Sequence, residues 1–176
     1  MFVSFEGIEG CGKTTQVERL ATFLSERGIP HLVTREPGGT RLGKIIRKML
    51  LDPGNSEMEP LTELFLYAAD RAQHIAQVIR PALEAGQWLI CDRFADATTA
   101  YQGYGRDQDL AFIQQLNQWA TQGLWPHLSL LLDCPGEVGL VRARRRVEDT
   151  ALEGREDRFE QQDGAFAHKV RVGYLE

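Results

Sequence analysis

The sequence predicts an α/β fold, a doubly wound parallel sheet with helices on both faces, and three observations support it. Short apolar runs alternate with stretches of helical periodicity along the chain. The runs at 88–91 and 128–132 are nearly continuous, as strands covered on both faces require. The first apolar run leads into a glycine-rich segment and then a helical pattern, the order that puts a ligand loop at the carboxyl end of a strand.

The elements follow in order. Residues 2–5 read as the first strand, expected at the sheet's centre, and 13–27 as a helix closed by Gly28. A second strand spans 31–34, and the helix at 41–51 stops at Asp52-Pro53-Gly54. Helical spacing returns over 61–85, with a kink expected at Pro81 and a stop at Gly86. Strands at 88–91 and 128–132 follow, the latter flanked by helices at 110–121 and 138–148. Residues 155–176 read as a turn and a final helix. Neither a fifth apolar strand nor a linker is seen. One domain spanning 1–176 is expected, with a C-terminal strand and helix missing.

The net charge of −5 argues against DNA as a partner, because binding its backbone needs a clustered positive field. Cys11, Cys91 and Cys134 are far apart and form no C-x-x-C pair, which favours reduced thiols over a disulfide framework or zinc site. The N-terminus lacks a signal-peptide pattern, and no run approaches the roughly 20 apolar residues of a membrane span. A soluble cytoplasmic protein without membrane or nucleic-acid partners is expected.

Gly7-Ile8-Glu9-Gly10-Cys11-Gly12-Lys13-Thr14-Thr15 fits G-x-x-x-x-G-K-S/T between a strand and a helix. Glycines let successive backbone N–H groups turn inward around phosphates, and the helix dipole adds to them. Lys13 would reach the β- and γ-phosphates and Thr14 would hold Mg²⁺. Cys11 lies among these amides, which would favour a thiolate; the alternative is a small residue filling the loop. Such a loop suits a small-acceptor kinase, a GTPase or an ATPase motor. None of Lys13, Lys44, Lys48 and Lys169 has an Asp two residues on, so the guanine-reading segment of a GTPase is missing. The chain is short for a motor.

The acceptor side is less explicit. Thr34-Arg35-Glu36-Pro37-Gly38-Gly39-Thr40 reads at least as a turn. Tyr67 and Arg71 share a helix face, where an aromatic plate beside a guanidinium could bind a base; the alternative is a half-buried aromatic with a surface arginine. Asp92 and Arg93 end the third strand, one suited to Mg²⁺ and the other to an acceptor phosphate. Asp133 competes for the metal, and Asp92 is preferred.

Together these segments, with Asp92-Arg93-Phe94 and Thr98-Thr99-Ala100-Tyr101-Gln102-Gly103, resemble thymidylate kinases from the phosphate loop to the chain's end. The resemblance implies phosphorylation of dTMP to dTDP by Mg-ATP for dTTP synthesis, in a homodimer built on helices of the 41–86 region. It places thymine on Tyr67, its O4 on Arg71 and its edge beside Thr98 and Gln102. Tyr101 would pack under the sugar and disfavour ribonucleotides, with Glu9 near the 3′-hydroxyl. Arg35, Arg47 and Arg93, beside Glu36 and Pro37, would surround the acceptor phosphate. Other small-acceptor nucleotide kinases, or a catalytically silent nucleotide-binding fragment, remain alternatives.

Arg142, Arg144, Arg145 and Arg146 end the helix at 138–148, favourably placed at the negative pole of its dipole. The resemblance makes 142–160 a mobile lid. Some thymidylate kinases carry an arginine inside the phosphate loop and others in the lid; Gly10 and Cys11 supply no cation, so this chain resembles the second kind. Arg146, assisted by Arg144 or Arg158, is expected to neutralise the transferring phosphoryl group.

Overall fold

The computed structural model describes residues 1–148, 158–159 and 162–176, without the side chains of Arg144, Arg146, Val147 and Glu148. Four strands, β1 (Phe2–Glu6), β2 (His31–Arg35), β3 (Trp88–Asp92) and β4 (Leu128–Leu131), form a parallel sheet in the order β2-β3-β1-β4. The first strand is interior, as its sequence predicts, and buried along its whole length. Its residues alternate between two layers: Phe2 joins Leu89, Cys91, Ile75 and Phe94, while Val3 and Phe5 join Ile90, Val17 and Leu24.

Eight α-helices accompany the sheet among the described residues: α1 (Lys13–Glu26), α2 (Arg41–Leu51), α3 (Pro60–His74), α4 (Arg80–Glu84), α5 (Ala95–Thr98), α6 (Leu110–Thr121), α7 (Gly136–Glu148) and α8 (Gly164–Leu175). Their starts are chemically marked. Thr40 caps α2 through Gly43 N–H at 2.8 Å, and Asp109 and Asp163 cap α6 and α8. Among the described residues no helix is long and apolar enough to cross a membrane.

Three expectations change. The helix over 61–85 is divided by a π-helical turn at Ile75–Ile79, just before Pro81, whose missing N–H breaks the regular ladder. Residues 95–105, unassigned from sequence, form α5 and a π-helical stretch at Thr99–Gly105. β4 is not covered on both faces: it is an edge strand among the described residues, and Leu128, Leu130 and Leu131 are 48%, 36% and 39% exposed.

Because all strands run parallel, the phosphate loop, Arg35–Glu36, Asp92–Arg93 and Asp133 emerge at one end of the sheet. Helix α7 lies against the phosphate loop. A Cβ on Gly10 would stand 2.2 Å from Gly139 O, and one on Gly139 would stand 2.5 Å from Glu9 O. Alanine for glycine inside a helix normally stabilises by about 1 kcal/mol. Here the added methyl meets main chain, so Gly139→Ala is expected to lose about 1–3 kcal/mol in urea melts. A gain would show that α7 does not rest on the loop.

Candidate active site

The phosphate loop joins β1 to α1. Gly12, at φ 100°, begins α1 without a side-chain cap, leaving first-turn N–H groups for an anion. Lys13 is buried, and its Nζ donates to Gly7 O at 2.9 Å and Ile8 O at 2.8 Å, with Cys11 Sγ at 3.6 Å. Burial, then the charge of Arg93, lowers its pKa. Thr14 and Thr15 are exposed at the helix start.

Glu9 joins this loop to the end of β3. Its Oε1 accepts from Arg93 NH2 at 2.9 Å and its Oε2 from Tyr101 Oη at 2.6 Å. Burial would raise the Glu9 carboxyl, but Arg93, Lys13 and the Tyr101 hydroxyl outweigh it and hold the pKa low. Arg93 also stacks 4.8 Å from the Tyr101 ring and donates to Tyr174 Oη at 3.0 Å. Its backbone is left-handed at φ 70°, a conformation costing about 1–3 kcal/mol and concentrated at functional sites. Next to it, Glu6 Oε1 accepts from Phe94 N–H at 2.7 Å.

The side expected to take the acceptor is a buried network. Arg71 donates to Glu36 Oε2 at 2.9 Å, Asn117 Oδ1 at 2.7 Å, Phe94 O at 3.1 Å and Thr98 Oγ1 at 3.0 Å. His74 Nδ1 donates to the other Glu36 oxygen at 2.9 Å, its Nε2 lying 2.7 Å from Thr34 Oγ1. The surface-arginine alternative for residue 71 is overturned, since it is 1% exposed. Tyr67 is half-buried against the cluster containing Tyr101 and Phe159. Arg47 NH1 donates to Pro37 O at 3.1 Å, beside the cis Glu36–Pro37 bond, whereas Arg35 is exposed. Gln102 is buried and bonded to Glu63.

Asp92 is half-exposed at the end of β3. Asp133 is held by Arg171 through two bonds of 2.7 Å, as a structural residue would be. The residues expected to form a lid are only partly described. Residues 149–157 and 160–161, and the side chains of Arg144 and Arg146, lie outside the described residues. Arg158 is buried, donating to Leu50 O at 2.6 Å and to Glu63. Arg158, expected to assist at the phosphoryl group, is held in this arrangement against α2 and α3.

Sequence reasoning missed Glu6, Glu63, His74, Asn117 and Tyr174. Glu6 directly precedes the phosphate loop, and Glu63 and His74 lie about one turn from Tyr67 and Arg71 on one helix, so these three carried a local signal. Asn117 and Tyr174 join the site through long-range packing.

The thymidylate kinase family model matches residues 5–176. The chain belongs to that family. It is 54% identical over 176 residues to the thymidylate kinase of Desulfosudis oleivorans, covering 100% of this chain and 82% of that relative. It is 56% identical over 174 residues to that of Geotalea daltonii, covering 99% and 81%. The crystal structure of the Ehrlichia chaffeensis thymidylate kinase superposes with a TM-score of 0.76 at 34% identity, covering 99% of this chain and 84% of that one. The family consists of ATP-dependent nucleotide kinases, and its parallel sheet is the one described above.

The family's phosphate loop begins here at a carboxyl with an unusual proton affinity. Burial, then the nearby Asp96 charge, pushes Glu6 up to about 8. A carboxyl raised in the folded state favours folding at low pH, and that contribution is lost as pH rises from about 4.5 through 8. Glu6→Gln mimics the protonated form. Its stability relative to wild type is expected to improve by a few kcal/mol between pH 5 and 8, at about 1.4 kcal/mol per unit. Parallel urea curves at all pH values would place the proton elsewhere.

Proposed function

We propose that this chain transfers the γ-phosphoryl group of ATP to dTMP, giving dTDP and ADP for dTTP synthesis. The observation that carries the reading is the 2.9 Å Arg93–Glu9 pair, because it brings an acceptor-side arginine against the phosphate loop. ATP lies along Gly7, Ile8, Glu9, Gly10, Cys11, Gly12, Lys13, Thr14 and Thr15, with Lys13 released from Gly7 O and Ile8 O to its phosphates. Tyr67 stacks on thymine, Arg71 donates to O4, and Thr98 and Gln102 face the base edge. Tyr101 supports the sugar and Glu9 its 3′-hydroxyl. Arg35, Arg47 and Arg93 hold the acceptor phosphate beside Glu36 and Pro37.

Mg²⁺ fits Thr14 and Asp92, both hard oxygen donors. Among the described residues no group of three His, Cys, Asp or Glu could hold a metal, so water and nucleotide oxygens would complete the shell. When bound it supplies charge neutralisation on the phosphates. An oxygen of the dTMP phosphate attacks the γ-phosphorus as the bond to the β–γ bridging oxygen breaks. The acceptor oxygen carries no proton to remove, so positioning and charge stabilisation suffice. Arg146, with Arg144, supplies the lid cation.

A homodimer and a cytoplasmic location complete the proposal. Leu42, Ile45 and Met49 on α2 and Leu61 and Phe65 on α3 are exposed, with Phe65 packed edge-on to Phe112 of α6 at 6.3 Å. A second copy covers this face, continuous with the region the family uses. The free cysteines Cys11, Cys91 and Cys134 suit a reducing compartment.

In a coupled ADP-release assay with dTMP, dUMP, AMP, CMP and GMP, dTMP is expected to give the highest kcat/KM; ADP release indifferent to dTMP would overturn the reading. Arg146→Ala is expected to lower kcat by roughly 10³-fold with dTMP affinity retained. Near-normal turnover would assign the cation to another residue. Sedimentation should give twice the 19.8 kDa chain mass, and Phe65→Glu should shift it toward the monomer. An unchanged dimer in that variant would place the interface on another face.

A further inference from the structure

Two rows of side chains face each other across Tyr67. Glu63, Tyr67 and Arg71 recur at four-residue spacing on α3 and share one face. Opposite them stand Thr98 and Gln102. Arg71 NH2 donates to Thr98 Oγ1 at 3.0 Å, and Gln102 Nε2 donates to Glu63 Oε1 at 2.8 Å. The two pairs therefore bracket the tyrosine.

Glu63 is fully buried and receives more than the amide. Arg106 Nε and NH2 reach its two oxygens at 3.3 Å, and Arg158 NH2 donates to Oε2. A carboxylate facing two guanidiniums accepts only. It thus dictates which end of the Gln102 amide turns toward it: the NH₂ group. The carbonyl oxygen must face the other way.

We propose that Glu63 is a specificity-determining positioning residue, which fixes the Gln102 amide so that its carbonyl oxygen accepts from the N3–H of a thymine-like base. The inference rests on dTMP as the acceptor. Thymine offers a donor at N3 and an acceptor at O4, whereas cytosine offers an acceptor at N3 and an amino donor at C4. A Gln102 carbonyl and the Arg71 guanidinium reading the same base edge would match the first pattern and oppose the second at both positions. Sites with such fixed polar groups discriminate strongly, because the wrong base leaves buried groups unpaired.

Replacing Glu63 with glutamine gives a sharp test. The two guanidiniums hold the new side chain by its carbonyl, so its NH₂ faces Gln102. The Gln102 amide must then turn over and present NH₂ to the base. The readout is the ratio of kcat/KM for dTMP to that for dCMP in the full chain, with folding checked by circular dichroism.

Glu63→Gln is expected to lower this ratio at least tenfold, and Glu63→Asp, still acceptor-only, to keep most of it. The double exchange Glu63→Gln with Gln102→Glu conserves charge and restores an oxygen toward the base. It should regain dTMP preference, and it decides the question if Glu63→Gln does not fold. Equal losses for both substrates in Glu63→Gln, or a double exchange without dTMP preference, would overturn the role of Glu63. Failure of the wild-type chain to act on dTMP would instead overturn the proposed reaction.

Discussion

The site depends on the main-chain pairing between the ends of β1 and β3. Arg93 N–H bonds to Phe5 O at 2.9 Å, and the next amide, Phe94 N–H, bonds to Glu6 Oε1 at 2.7 Å. Between these bonds Arg93 is held at φ 70°, where a residue with a Cβ does not settle unaided. The local strain turns the arginine back over Tyr101 and onto Glu9, so donor and acceptor segments meet on adjacent strands. Either segment could shift independently if they were joined only by side chains. The Arg93 N–H bond to Phe5 O and the Glu6 carboxylate tie the two strand ends together.

Around this frame the interior holds an unusual density of charge. Glu36 serves Arg71 and His74, and Glu63 serves Arg106 and Arg158. Buried pairs of this kind contribute little net stability, because desolvation offsets their attraction. Their effect is geometric: each fixes the direction in which a guanidinium or amide points. Asp70 shows the price of such a wall. Its Oδ1 accepts from Gly38 N–H at 3.1 Å, its Oδ2 has no hydrogen-bond partner among the described residues, and burial together with Glu36 pushes its pKa up to about 6.

Much of this was legible in the residues, for identifiable reasons. The phosphate loop is encoded locally, since its glycines, lysine and flanking strand and helix are contiguous. Helices with strong punctuation, such as α2 between Thr40 and Asp52, appear with the bounds their sequence suggests. The 95–105 segment was illegible because its π-helical turns have no simple period and its place depends on α8. There, a Cβ on Gly105 would stand 2.8 Å from Phe166 Cε2. Burial of β4 was misjudged because an apolar run shows what a strand can pack against, while exposure depends on which neighbours exist. The Arg158–Glu63 contact was not legible because the two residues are 95 positions apart.

Gly10 links the phosphate loop to the question of where the catalytic cation resides. Any side chain at this position begins 2.2 Å from Gly139 O and 3.1 Å from Arg142 Cβ, so an arginine here would lift α7 off the loop. Conversely, α7 can rest on the loop only if residue 10 contributes no side chain and residue 139 contributes none in return. The absent loop cation and the close helix are therefore one steric arrangement seen from two sides. With a side chain excluded at residue 10, the arrangement seats on the loop the helix whose next two turns carry Arg142, Arg144, Arg145 and Arg146. Backbone packing at these two glycines thus keeps residue 10 from carrying a side chain.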